Sequence, residues 1–158
     1  MKRSMLSRRD LDFLLHEWLD VQSLCDRARF ASLRRDHFDA VLAQASQLAR
    51  GCLAPANRQL DEQEPRLTAE DVWTPPVLSE VMAVSQDRAL GGMQLPVLIE
   101  KAVTAWLFAG SAAVTAYLYP SQAGSRLLQR HAGRALASAW LPLLLKGRAT
   151  CTFCISEP

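Results

Sequence analysis

The stretch from Ala102 to Pro120 contains no charged residue, and it constrains the fold more than any other feature of the sequence. Its length approaches the roughly 18–20 apolar residues of a membrane-spanning helix. However, Glu100 and Lys101 stand near its start, and no basic cluster flanks it. We therefore predict a central helix from about Val97 to Leu118 that is apolar all round because other helices surround it. Small residues such as Gly110 would let a neighbouring helix or a ligand approach its backbone closely.

The rest of the chain is also patterned for helices. Apolar residues from Leu11 to Leu19 recur three, four, seven and eight residues apart, as on one face of an amphipathic helix. The same pattern predicts a longer second helix from about Arg35 towards Leu60, kinked at Pro55. Further helices are predicted around Leu127 and from Leu136 to Leu144.

Prolines and glycines mark the predicted ends of these helices. Thr74 and the two prolines after it predict the start of a third helix, which stops near Gly91 and Gly92. Tyr119-Pro120 is predicted to end the central helix, and Gly147 to close the last one. The segment from Thr150 to Ile155 is rich in β-branched and aromatic residues, which favours a short terminal strand. The sequence thus predicts an all-α bundle of about six helices, in a single domain that spans residues 1–158.

Charge and cysteine content exclude several classes of function. The formal net charge of +2 is too small to indicate nucleic-acid binding, and no apolar run after the basic start indicates a signal peptide. We therefore expect a cytoplasmic protein with reduced thiols. Cys151 and Cys154 form one C-x-x-C pair, which supplies half of a tetrahedral zinc site, and the histidines lie far away in sequence. We predict inert cysteines and no metal site.

No motif in the residues themselves indicates catalysis. The glycine pair at positions 91 and 92 is neither a dinucleotide-binding fingerprint nor a P-loop, and no nucleophile elbow is present. Without further information, the sequence predicts a helical domain with no catalytic set.

Four blocks in the sequence nevertheless resemble, in order, the N-terminal helical domain of acyl-CoA dehydrogenases. They are Arg9–Leu15 continuing to Val21, Phe38 through the L-A-P-A-N-R of Leu53–Arg58, the G-G-M-Q-L-P of Gly91–Pro96, and Trp140-Leu141-Pro142 through Gly147 to the closing C-I-S-E-P of Cys154–Pro158. No single block is specific to the family, but the ordered set covers essentially the whole chain.

The resemblance implies a site for FAD and an acyl-CoA substrate. It implies that three residues face the flavin: Phe153, Ile155 and Ser156. It implies that three others line the entry of the acyl chain: Ala113, Tyr117 and Tyr119. A terminal strand with an ordinary buried aromatic is the alternative for the first set, and simple core packing is the alternative for the second.

The resemblance also implies what this chain does not contain. The family's flavin-binding β-domain and its C-terminal domain with the catalytic glutamate would lie beyond Pro158. We therefore expect no catalytic residue here, and neither dehydrogenase activity nor stably bound FAD for the chain alone. The alternative function is a helical interaction module that docks on a partner subunit supplying the missing domains, or on a related full-length dehydrogenase. A homo-oligomer is also possible. A membrane-associated helical protein is a weaker third possibility.

Overall fold

The computed structural model describes residues 5–57, 92–154 and 156, and all the regular secondary structure in those residues is helical. The helices are α1 (Arg8–Asp12, continued by a π-helical segment Phe13–Trp18), two 3₁₀ turns (Val21–Asp26 and Ala28–Phe30), α2 (Arg35–Leu48, continued by a π-helical segment Ala49–Leu53), α3 (Val97–Gly110), α4 (Ala112–His131) and α5 (Arg134–Leu145). Within these residues, the predicted all-α class with about six helices is confirmed. The predicted terminal strand is wrong for residues 150–154, which have no regular structure.

The first two predicted helices form where the pattern placed them. Ser7 caps α1, since its hydroxyl accepts a hydrogen bond from the Asp10 amide at 3.2 Å. Asp20 adopts a left-handed conformation with φ 41°, which ends the first helical unit, formed by α1 and its π-helical extension. In the second helical unit, formed by α2 and its π-helical extension, the chain stays helical through Pro55 to residue 57. The π-helical turn before Pro55 changes the bonding pattern where the proline lacks an N–H, so the helix continues past it.

The central helix predicted from Val97 to Leu118 is wrong as a single element. The chain breaks at Ser111, whose backbone is extended and whose hydroxyl accepts a hydrogen bond from the Val114 amide at 3.2 Å. Ser111 therefore ends α3 and caps α4. None of the described helices is long and apolar enough to cross a membrane.

The break predicted at Tyr119-Pro120 is also wrong, because Pro120 lies inside α4. The proline leaves the carbonyl of Ala116 without its helical partner, but Ala116 is exposed and water can reach that carbonyl. The short helix predicted around Leu127 is consequently part of α4. The last helix and its close at Gly147 (φ 64°) are confirmed. The third predicted helix, from Thr74 to Gly91, lies outside the described residues.

The described core lies between α2, its π-helical extension and α3. Gly110 at the end of α3 packs against the backbone of Ala49, and a side chain there would meet the Ala49 carbonyl oxygen at 2.8 Å. The sequence prediction of close backbone approach in this region is thereby confirmed. The largest fully buried apolar side chains are Trp106, Phe38, Leu42, Leu53 and Ile99. On the other side of α4, α5 buries Leu141, Leu144 and Leu145.

Candidate functional site

The terminal segment, which follows α5 and is described at residues 146–154 and 156, returns to the surface of α4. The amide of Cys151 donates a hydrogen bond to the Ser121 hydroxyl at 2.9 Å. One turn further along α4, Gly124 lies so close to Cys151 that a β-carbon there would be 2.5 Å from the cysteine sulfur. Two contacts therefore fix the start of the terminal segment on the middle of α4.

One face of α4 combines these contacts with a residue predicted to line the acyl site. Ser121 and Gly124 are eight and eleven residues after Ala113, which at about 100° per residue places them within about 80° of it. Ala113 is exposed near the start of the helix. Position 117, four residues on, has the same helical spacing, but the side chain of Tyr117 lies outside the described part of the structure. The terminal segment and Ala113 thus share one face of α4.

Tyr119 lies on a different face of the same helix. It is six residues from Ala113, or about 240° around the axis. Its ring makes an edge contact with Phe108 of α3 at 6.4 Å between centroids, and the Lys101 ammonium lies 5.0 Å from the ring centroid. The Tyr119 side chain is 46% exposed. The structure therefore separates Tyr119 from the other predicted acyl-site residue whose side chain it describes.

The residues predicted to face a flavin lie at the surface where they are described. Phe153 is 47% exposed and Ser156 is exposed, whereas Ile155 lies outside the described residues. The alternative of an ordinary buried aromatic does not apply to Phe153. An exposed aromatic ring and a nearby hydroxyl are groups that can contact the ring of a flat cofactor.

A buried ion pair joins α3 to α4 on the face of α4 that carries Tyr119. Glu100 is 1% exposed and forms an ion pair with Arg126, while the Lys101 ammonium lies 3.7 Å from its Oε1. Burial and the nearby Arg130 lower the pKa of Arg126, but a guanidinium remains protonated at neutral pH. The pair therefore carries opposite charges that stabilise each other in a poorly solvated position.

A second polar group, between α1 and α2, was not predicted from the sequence. One ligand atom each from Asp12, His16 and Asp39 lie within 4.8 Å of one another. The four-residue spacing of Asp12 and His16 on a helix was the available sequence signal. The third member could not be found in this way, because it belongs to another helix.

Comparison with known proteins adds no family assignment. A scan against protein-family models finds no match for this chain, and a search of curated proteins finds none either.

Proposed function

We propose that this chain is the N-terminal helical domain of an acyl-CoA dehydrogenase-like flavoprotein and contributes one wall of its FAD and acyl-CoA site. In a complete enzyme of that kind, bound FAD supplies the oxidation of an acyl-CoA thioester between its α and β carbons. The role of this chain is to position and shield the two molecules.

One geometric observation supports this proposal. The terminal segment is attached to α4 by the hydrogen bond from Cys151 to Ser121 and by the close approach at Gly124. The segment assigned to the flavin and the helix assigned to the acyl chain are therefore neighbours, as a shared site requires. In the sequence they are about thirty residues apart, and the Cys151–Ser121 pair has a separation of 30.

Each of the described residues would have its own role in such a site. Phe153, about half exposed, would pack against the isoalloxazine ring. Ser156, where the family usually has threonine, keeps a hydroxyl that can donate to or accept from a flavin carbonyl or ring nitrogen. The small side chain of Ala113 leaves room for an acyl chain beside α4. Tyr119, on another face of the helix, would line the entry from the side of Phe108.

A chimera tests the proposal. This chain is fused after Pro158 to the β-domain and C-terminal domain of an acyl-CoA dehydrogenase. The purified chimera is expected to contain FAD and to reduce an electron-accepting dye when acyl-CoA is added. Ser156→Ala should weaken FAD binding by about 2–10-fold, the value of one hydrogen bond. Phe153→Ala should also weaken it, whereas Trp18→Ala, at an exposed aromatic position in the π-helical extension of α1, should not. A folded chimera without flavin would refute the proposal.

The chain by itself provides a second measurement. Without the other flavin contacts, the purified chain is expected to show no flavin absorbance and no dye reduction. One flavin per chain would contradict the division of the site between domains.

A second candidate function is docking on a partner subunit that carries a flavin-binding domain. Docking is favoured by exposed apolar side chains on α5 and the terminal segment, because exposed apolar patches often mark interaction surfaces. They are Leu136, Trp140, Leu143 and Phe153. Co-purification of a flavin-containing dehydrogenase subunit with the chain, lost in Trp140→Ser, would favour docking over a domain that functions only within one continuous enzyme.

A further inference from the structure

The cluster between α1 and α2 brings together two carboxylates and an imidazole. Asp12 is the last residue of α1, His16 lies in its π-helical extension, and Asp39 belongs to α2. One ligand atom from each lies within 4.8 Å of the other two. Asp12 and His16 are partly buried, and 38% of the Asp39 side chain is exposed. A cation among them would contact residues from both helical units.

The hydrogen bonds of His16 leave one ring nitrogen free to bind a cation. Its Nδ1 lies 2.9 Å from the Gln22 amide oxygen. An amide oxygen can only accept, so this contact is a hydrogen bond in the tautomer of the neutral ring that carries its proton on Nδ1. The lone pair is then on Nε2. This nitrogen is buried and has no hydrogen-bond partner among the described groups. A buried lone pair without a partner is costly, and a metal ion would satisfy it.

The two carboxylates attract positive charge but do not satisfy His16. The Arg8 guanidinium joins them, with Nε 3.0 Å from one oxygen of Asp12 and Nη2 2.9 Å from one oxygen of Asp39. Arg35 lies further away, 3.7 Å from the other oxygen of Asp39. The Arg8 side chain is 44% exposed, so it can turn outward into water. Arg8 therefore neutralises the carboxylates but leaves Nε2 of His16 unpaired, whereas a metal ion would bind all three residues.

We propose that Asp12, His16 and Asp39 form a binding site for a divalent first-row transition metal ion. Zinc fits best, because it accepts imidazole nitrogen and carboxylate oxygen together and is stable with three protein ligands and a water molecule. Gln22 would orient the imidazole from outside the metal sphere, as hydrogen-bond acceptors do for other metal-binding histidines. The ion would tie α1 to α2. This proposal differs from the sequence-based prediction of no metal site, which considered only spacing along the chain.

Zinc titration of the full chain tests the site. The protein is used without a histidine tag and with Cys151→Ser and Cys154→Ser, so that the C-x-x-C thiols cannot bind zinc. Isothermal titration calorimetry is expected to show one zinc ion per chain. His16→Gln and Asp39→Asn, on different helices, should each weaken binding by more than the roughly 10–100-fold that loss of an outer hydrogen-bond partner costs. The matched control His131→Gln, at an exposed position at the end of α4, should bind zinc normally.

Two further variants separate a metal site from a general effect on folding. Gln22→Leu should weaken zinc binding by about 10–100-fold. Arg8→Gln should strengthen it by up to about fivefold, because it removes a competing cation held by exposed ion pairs. Zinc should also raise the melting temperature of the parent protein but not that of His16→Gln. Absence of stoichiometric binding, or binding that survives both His16→Gln and Asp39→Asn, would overturn the proposal.

Discussion

The contact between α3 and the π-helical extension of α2 gives a sharp prediction for Gly110→Ala. A β-carbon at Gly110 would lie 2.8 Å from the Ala49 carbonyl oxygen, 2.9 Å from the Leu53 β-carbon and 3.0 Å from the Ala49 α-carbon. The first and last of these atoms are backbone, so no change of side-chain rotamer can relieve the clash. The helices would have to move apart and lose part of the buried contact.

The magnitude follows from two opposing effects. Overpacking a close contact costs about 1–3 kcal/mol. Replacing glycine by alanine in a helix recovers at most about 1 kcal/mol, and Gly110 is the last residue of α3, where the gain is smaller. We expect the free energy of unfolding to fall by about 2 kcal/mol. In a protein of this size, that lowers the melting temperature by about 4–8 °C.

Gly51 provides a matched control within the same region. It lies in the π-helical extension, and a β-carbon there would meet no atom within 4 Å. Gly51→Ala therefore removes flexibility of the unfolded chain without a clash, and should stabilise the protein by about 0.4–1 kcal/mol. Thermal and urea unfolding, followed by circular dichroism at 222 nm, would measure both variants. The same substitution should shift stability in opposite directions at the two positions.

Gly110→Ala could instead prove as stable as the parent, or gain as much stability as Gly51→Ala. Either result would mean that α3 and the α2 extension are not in backbone contact.

Three further predictions concern the core, the buried ion pair and the thiols. Phe38→Ala should lower the free energy of unfolding by about 3–5 kcal/mol in urea titrations, because it leaves a cavity at a fully buried position. Arg126→Met should lower the free energy of unfolding by about 3 kcal/mol, which is the low end for a broken buried ion pair because the Arg126 side chain is 33% exposed. Adding Glu100→Leu to the same protein should restore most of this loss, and absence of rescue would contradict the pairing of Glu100 with Arg126. Burial raises the pKa of the Cys25 thiol, so at pH 8 it should react with iodoacetamide more slowly than the exposed Cys52, as peptide mass spectrometry would show, and equal rates would count against its burial.

The helical class of this protein was predictable because it depends on the local periodicity of apolar residues. The apolar positions from Leu11 to Leu19 and from Leu136 to Leu144 indicate helices whatever they pack against. The positions of α1, α2 and α5 therefore agree with the sequence prediction. Gly147 ended α5 as expected because its left-handed conformation is a local preference of glycine.

The division of the central region could not be predicted from the same pattern. Residues on both sides of Ser111 are apolar, so the sequence favoured one long helix that ended at Pro120. A serine cap within an uncharged run gives no change in periodicity. Pro120 is tolerated since Ala116, whose carbonyl it leaves without a helical partner, is an exposed residue, and only the packing of α4 determines which residues are exposed.

The candidate sites divide in the same way. The residues assigned to flavin and acyl chain came from resemblance, and the structure adds that the terminal segment lies on α4. The group formed by Asp12, His16 and Asp39 depends on two helices meeting. Sequence by itself determined that the chain is helical and which faces are apolar, because side-chain periodicity is a property of neighbouring residues. Only the tertiary structure decided where helices break, which glycine packs against the backbone of another helix and which polar groups meet. Each of these depends on residues that are distant in the chain.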